Sequence, residues 1–315
     1  MLEYSLRRLL LSVPVVFVST VAIFGLLHLL PGDPAVALGG AYATPQQIAA
    51  IRHAMGLDQP LPVQYVLWLG RLLHGNFGSS AVSGQPVGYL LASRIPATLE
   101  LALAALLLAL CFALPTGIWA AVHQGRAVDW IITVSNTLGI AIPNFWVGIL
   151  AIVAFSVALG WLPPGGRVAD SHQLALTLKS LLLPALTLSL LLGAALSRFV
   201  KASMLEVLYD DYIRTARAKG LASPVVVIRH AVRNAMLPTL TVLGLQVGSL
   251  LGGTVIIESI FAWPGLGNLL LDAINNRDYV VVQAGLLYLV LLYVVLNLLT
   301  DVLYGLLDPR LRFSK

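Results

Sequence analysis

Five cations stand in residues 209–238, which read YDDYIRTARAKGLASPVVVIRHAVRNAMLP: Arg214, Arg217, Lys219, Arg229 and Arg233. The chemistry open to such a stretch is recognition of a partner surface rather than bond-making. On a helix over 210–219, Asp210 precedes Arg214 by four residues, the favourable order for such a pair. Arg214 and Arg217 share one face. Tyr212, Ala216 and Gly220 follow at i, i+4 and i+8 on another, a nearly smooth face that lets a partner come close. Gly220 suits the left-handed residue that ends a helix, with Lys219 in the last turn. Ser223 and Pro224 restart a helix, serine as N-cap and proline at the first position. The second helix, over 225–234, sets Ile228 and Val232 on one side and Arg229 and Arg233 on the other. A solvated connection accounts for the charges alone; the small-residue face, the stop and the immediate restart favour a docking surface.

Other chemistries find little footing. No G-x-x-x-x-G-K-[ST] run occurs, so the signature of a P-loop is missing and any motive force must come from elsewhere. The six histidines, at 28, 53, 74, 123, 172 and 230, form no i, i+4 pair, so no metal site is expected. No spacing suggests a serine, histidine and carboxylate set. Cys111 is the single cysteine, which excludes an internal disulfide and a cysteine-based zinc site; it reads as a small buried hydrophobe. Polar residues within apolar spans are costly and face protein or water. Asn136, Asn144, Gln246 and Asn297 are of that kind and are candidates to line a translocation path, with hydrogen bonding between helices as the plain alternative. Glu258 and Asp301 are expected near span ends, within reach of water.

The elements that must position these residues are membrane helices. Of 315 residues, 58% are hydrophobic and 10% charged, too little charge to cover a soluble surface when soluble domains carry about 25%. Six apolar stretches reach the ~20 residues a crossing needs: 9–30, 97–122, 130–159, 181–200, 236–260 and 280–303. The first is too long for a signal-peptide core and is followed by no small-residue cleavage site, so it is expected to stay as an anchor. With the N-terminus inside, the inner segments hold thirteen of the 19 Lys and Arg residues and the outer segments six, which sets both termini and the 209–238 loop in the cytoplasm. Residues 31–96 are too polar for lipid and too poor in apolar residues for a separate core. They read as a small external helical cap. Pro45–Met55 is expected to be helical, with Thr44 as N-cap, and so is 64–74, with Tyr65, Leu69 and Leu72 on one face. The chain thus divides into an N-terminal membrane helix (1–30), the cap (31–96) and a five-helix core (97–315) carrying the loop at 201–235. Pro115, Pro143 and Pro184 are placed to kink their helices. Gly244, Gly248, Gly252 and Gly253 make a small-residue stripe suited to close packing.

The run DDYIRTARAKGL resembles the EAA loop of ATP-binding-cassette importer permeases, in the form found in the dipeptide/oligopeptide/nickel importer family. LPGDP (30–34), GLDQPL (56–61), GNFGSS (75–80), PATLELA (96–102), IPNFW (142–146), FAWPGLG (261–267), NRDY (276–279) and LDPRLR (307–312) extend the likeness from end to end. The literal Glu-Ala-Ala is absent; Thr215-Ala216-Arg217 stands there. The resemblance implies an all-α polytopic fold of six transmembrane helices, the type I importer permease fold. It implies a coupling helix seated in an ATPase subunit, with Asp211, Arg214, Thr215, Ala216, Arg217, Ala218, Lys219 and Gly220 as docking residues. It further implies a heterodimer with a related permease, two ATPase subunits holding ATP and Mg, and an extracytoplasmic binding protein at a bacterial inner membrane, with no nucleic acid. No cofactor and no catalysis are implied for this chain. Cargo is a small peptide or, in the same architecture, nickel or a metal chelate. An ion-coupled secondary transporter is the alternative of another class, but no span has the central acid it would need. An intramembrane enzyme would need a nucleophile and base that no span supplies.

Overall fold

Long apolar stretches flanked by polar turns can satisfy their backbone groups in lipid only as helices, and helices are what form. A computed structural model of the protein describes residues 2–29, 33–40, 42–168 and 173–307. Residues 30–32 of LPGDP, His172, nearly all of LDPRLR, Lys315 and the Asp301 side chain lie outside the described residues. Among those described, every element is helical apart from one isolated antiparallel bridge between Ser79 and Pro86. In order they are α1 (Leu2–Leu29), α2 (Pro34–Gly39), α3 (Pro45–Met55), α4 (Leu61–Leu73), α5 (Val87–Val122), α6 (Ala127–Ala141), α7 (Asn144–Ala151), α8 (Leu174–Leu208), α9 (Asp211–Ala218), α10 (Ser223–Val225), α11 (Arg233–Ile260), α12 (Leu266–Asn275) and α13 (Tyr279–Leu307). Two π-helical segments, Ile152–Ala158 and Val226–Val232, follow α7 and α10.

Among the described residues five helices are long and apolar enough to cross a membrane, and the bent pair α6–α7 makes six if it counts as one span. The sequence drew 130–159 as one span. Instead α6 and α7 meet at a bend of 99°. Pro143 forces it: the residue before a proline leaves the helical region, and Ile142 sits at φ −83°, ψ 126°. Pro115 and Pro184, by contrast, lie inside helices that run on unbroken. The sequence also placed a separate short helix after Ser223. That segment is the first part of one long run, Ser223–Ile260, which passes through the π-turns into α11. Helix propagation by hydrogen bonding, not the edge of hydropathy, fixes such ends. For the same reason α5 begins at Val87, well before the apolar stretch.

The chain forms two compact units. One comprises Leu99–Trp263 with Met1–Arg8 and Leu296–Lys315; the other comprises Leu9–Thr98 with Pro264–Val295. In the first, Leu196, Val200 and Met204 of α8 are buried with Ala113 and Ala121 of α5. Gly117 lets these helices close: a Cβ there would lie 2.6 Å from Val200 Cβ and 2.7 Å from the Ser197 carbonyl. The glycine stripe of α11 is used unevenly, with Gly244 against Thr300 and Gly253 against Leu188, while Gly252 faces open space.

In the second unit Val87 and Leu91 pack with Leu266, Val281 and Val282. Distant stretches are latched together here. Ser80 donates to Asp278 at 2.5 Å, and Thr98 Oγ1 accepts from the Leu266 amide at 2.8 Å. The external helices start as their residue types require. Thr44 and Gln47 form a full capping box on α3, and Asp33 caps α2. Tyr65, Leu69 and Leu72 are half-buried on α4. The exposed Asp58 carboxylate accepts from His53 at 2.7 Å, and this hydrogen bond holds it below the usual carboxylate range.

Candidate functional site

In α9, Ile213 is fully buried and Ala216 is 8% exposed, both packed with Met204, Val226 and Ala231. The outward positions are Asp211, Tyr212, Arg214, Thr215, Arg217 and Ala218, followed by Lys219 and Gly220. The smooth Tyr212–Ala216 face read from the sequence is therefore not an outer face. Ala216 turns inward because Ile213, the one large aliphatic side chain between Asp210 and Gly220, selects the buried stripe. The pair expected between Asp210 and Arg214 is also replaced. Arg214 meets Asp211 at 3.5 Å with both side chains largely in solvent, a contact of little energetic weight.

The helix is held at both ends. Tyr209 donates to Gln124 at 2.9 Å. Tyr212 Oη accepts from Asn234 Nδ2 at 2.7 Å and donates to the His230 carbonyl at 3.5 Å. The C-terminus closes as a Schellman motif: the Gly220 amide donates to the Arg217 carbonyl at 2.9 Å, and the Leu221 amide to that of Ala216 at 3.4 Å. Gly220 adopts φ +79°, as its place beyond the last turn demands. The restart differs by one residue from expectation: Ala222 is the N-cap, and Ser223 is already helical.

An ion pair between α6 and α8 was missed from the sequence. Lys201 of α8 contacts Asp129 of α6, with side chains 23% and 12% exposed. Asp129 also accepts from the Gly125 amide at 3.1 Å and from Thr133 at 3.3 Å, and Lys201 donates to Thr133 at 3.1 Å. The turn between α5 and α6 is thereby tied to α8 two helical turns before α9. No spacing links positions 129 and 201, so only the fold could reveal the pair.

The four candidate path residues take different surroundings. Asn136 donates to Ser197 at 2.9 Å, and Ser197 in turn meets Thr116 at 2.9 Å, which ties α6, α8 and α5 together. Asn144 opens α7 just after the bend, and its Oδ1 is buried with no partner among the described residues. Gln246 accepts from Ser249 at 3.1 Å. Asn297 is half-buried on α13. Glu258, expected within reach of water, is fully buried with Phe261 and Trp263. The chain folds back at 261–263, where Ala262 takes φ +46° and the Trp263 amide reaches the Glu258 carbonyl at 2.8 Å.

The family described as "binding-protein-dependent transport system inner membrane component" matches residues 113–313, and its N-terminal counterpart matches residues 1–102. The chain is 44% identical over 314 residues to the glutathione transport system permease protein GsiC of Escherichia coli (strain K12), covering 100% of both. The same protein of Salmonella typhimurium (strain LT2) matches at 44% over the same span. An inward-facing MetNI methionine ABC transporter structure superposes with a TM-score of 0.57 at 18% identity, over 71% of this chain and 98% of that one. At that identity the likeness speaks for the fold alone, and it is the fold of a type I importer permease.

Proposed function

Because the chain belongs to the binding-protein-dependent transport system inner membrane components, the permease subunits of ATP-binding-cassette importers, we propose that it imports short peptides and takes its driving force through α9. Family membership replaces the ion-coupled alternative. The peptide reading is supported by 44% identity to permeases of glutathione transport, glutathione being a tripeptide. A nickel or chelate cargo has no observation in its favour.

One observation carries the coupling role: a short cationic helix exposed outside and keyed inside by Ile213 and Ala216. In this reading Asp211, Arg214, Thr215, Arg217, Ala218, Lys219 and Gly220 meet an ATPase subunit, and Ala216 acts from within as an anchor. A push on α9 passes through Tyr209 to the α5–α6 turn and through Tyr212 to Asn234 at the head of α11. The broken α6–α7 span then bends further or straightens, and the path opens to one side or the other. Asn136, Asn144, Gln246 and Asn297 are proposed to border that path. The full assembly is a heterodimer with a related permease, two ATPase subunits carrying ATP and Mg, and a binding protein outside. The excess of inner Lys and Arg sets both termini in the cytoplasm of a bacterial inner membrane.

Gly220→Val tests the coupling helix. A Cβ at Gly220 meets nothing within 4 Å, so the substitution acts through backbone strain, about 1–2 kcal/mol for a left-handed residue. The expected outcome is normal insertion, peptide uptake reduced tenfold or more, and ATPase activity no longer stimulated by cargo. Gly220→Asn, which tolerates this conformation, should retain most uptake. Full uptake by the valine variant would refute the assignment.

A further inference from the structure

The unit formed by Leu9–Thr98 and Pro264–Val295 holds a partly open cavity of about 560 Å³. That lies within the range of small-molecule sites, about 300–1,000 Å³. Stretches far apart in the chain contribute to its wall, among them Asp33 and Pro34, Leu57, residues 76–79 and Tyr279. Its charge is uneven. Asp33 is committed twice, since Oδ1 accepts from the Ala35 amide at 2.9 Å and Oδ2 pairs with Arg52. Arg71 has no carboxylate in ion-pair range among the described residues, and its Nη2 makes a long 3.4 Å contact to the Met55 carbonyl. Among the described residues, then, the Arg71 guanidinium faces the cavity without a carboxylate counter-charge.

The same cavity is lined by two amides and an aromatic wall. Asn76 accepts from the Gly78 amide at 3.0 Å through Oδ1, which leaves its amide nitrogen for another acceptor. Gln283 lines the cavity from α13. Phe24 and Trp68, 5.8 Å apart between ring centres, form an apolar side with Phe77. A guanidinium suits a carboxylate, the amides suit a peptide bond, and the rings suit an apolar side chain.

We propose that this cavity binds the carboxylate end of a short peptide, as a site on the permease itself where cargo pauses on its way to the membrane path. This rests on the peptide reading above and adds to it a location and a recognition rule. The complete complex of both permeases and both ATPase subunits is placed in phosphatidylcholine nanodiscs without binding protein. Binding is then measured for the tripeptide Ala-Phe-Ala and for its C-terminal amide. The acid should bind saturably and the amide about tenfold more weakly. Arg71→Gln should weaken the acid by about tenfold and leave the amide unchanged, with Arg71→Lys restoring part of the difference. Gln283→Trp, which fills the cavity, should abolish binding of both, and co-purification with the ATPase subunits shows that each variant assembles. Equal binding of acid and amide, indifference to Arg71→Gln, or displacement of the peptide by added phosphatidylglycerol would overturn the site. Uptake of the tripeptide by the complex with its binding protein, but without saturable binding here, would overturn the site and leave the peptide reading standing. Binding without any uptake would do the reverse.

Discussion

Asp129 and Lys201 bring opposite charges together beside Thr133 and the Gly125 amide, and each is the other's counter-charge. Removing one partner of a buried pair costs about 3–5 kcal/mol, because the remaining charge stays desolvated. With side chains still 12% and 23% exposed, the lower end of that range applies. Asp129→Asn or Lys201→Met should each lower the thermal stability of the purified complex and raise ATP hydrolysis in the absence of cargo, because the α5–α6 turn is then held to α8 only through weaker contacts such as Tyr209 to Gln124. Replacing both residues by an apolar pair of similar size should recover most of the stability. A double-mutant cycle reads the coupling directly, and additive effects would show that the pair does not hold the turn.

At the scale of elements, close approach decides which helices move as one. Gly117 is where α5 comes up against the Val200 side chain and the Ser197 carbonyl of α8 with no side chain of its own. Gly117→Val inserts atoms into filled space, an overpacking that costs about 1–3 kcal/mol, and it should reduce the yield of folded permease in detergent. Gly252→Ala is the control, since a Cβ there meets nothing within 4 Å; its yield should match the wild type. The π-helical segments lie in the second half of the bent pair, at Ile152–Ala158, and at the start of the run that becomes α11, at Val226–Val232. Wide turns of this kind occur often at functional sites.

Across the whole molecule, orientation is the simplest property to test. With Cys111 replaced by serine, a single cysteine at Tyr42, which is fully exposed, should react with a membrane-impermeant thiol reagent added to intact cells. One at Leu221 should react only after the inner face is opened, and the opposite pattern would invert the charge-based topology. The apolar stretches, their number, the capped external helices and the glycine stop after α9 were all legible in the residues, because each depends on neighbours within a turn or two. The same holds for the resemblance carried by the 209–238 loop. What the residues left open was decided by contacts between distant segments. Pro143 marked a kink, but only packing gives the 99° bend its size. The α9 stripe centred on Ile213 is settled as the inner face by its packing on Met204 and Val226, which carries Ala216 inward with it. Glu258 appears to a hydropathy count as a span-end acid near water, and is fully buried in the fold, where the Trp263 amide returns to its carbonyl. Local chemistry fixed the helices and their ends; which faces they hide depended on the company each one keeps, since burial belongs to pairs of surfaces and not to a single stretch of chain.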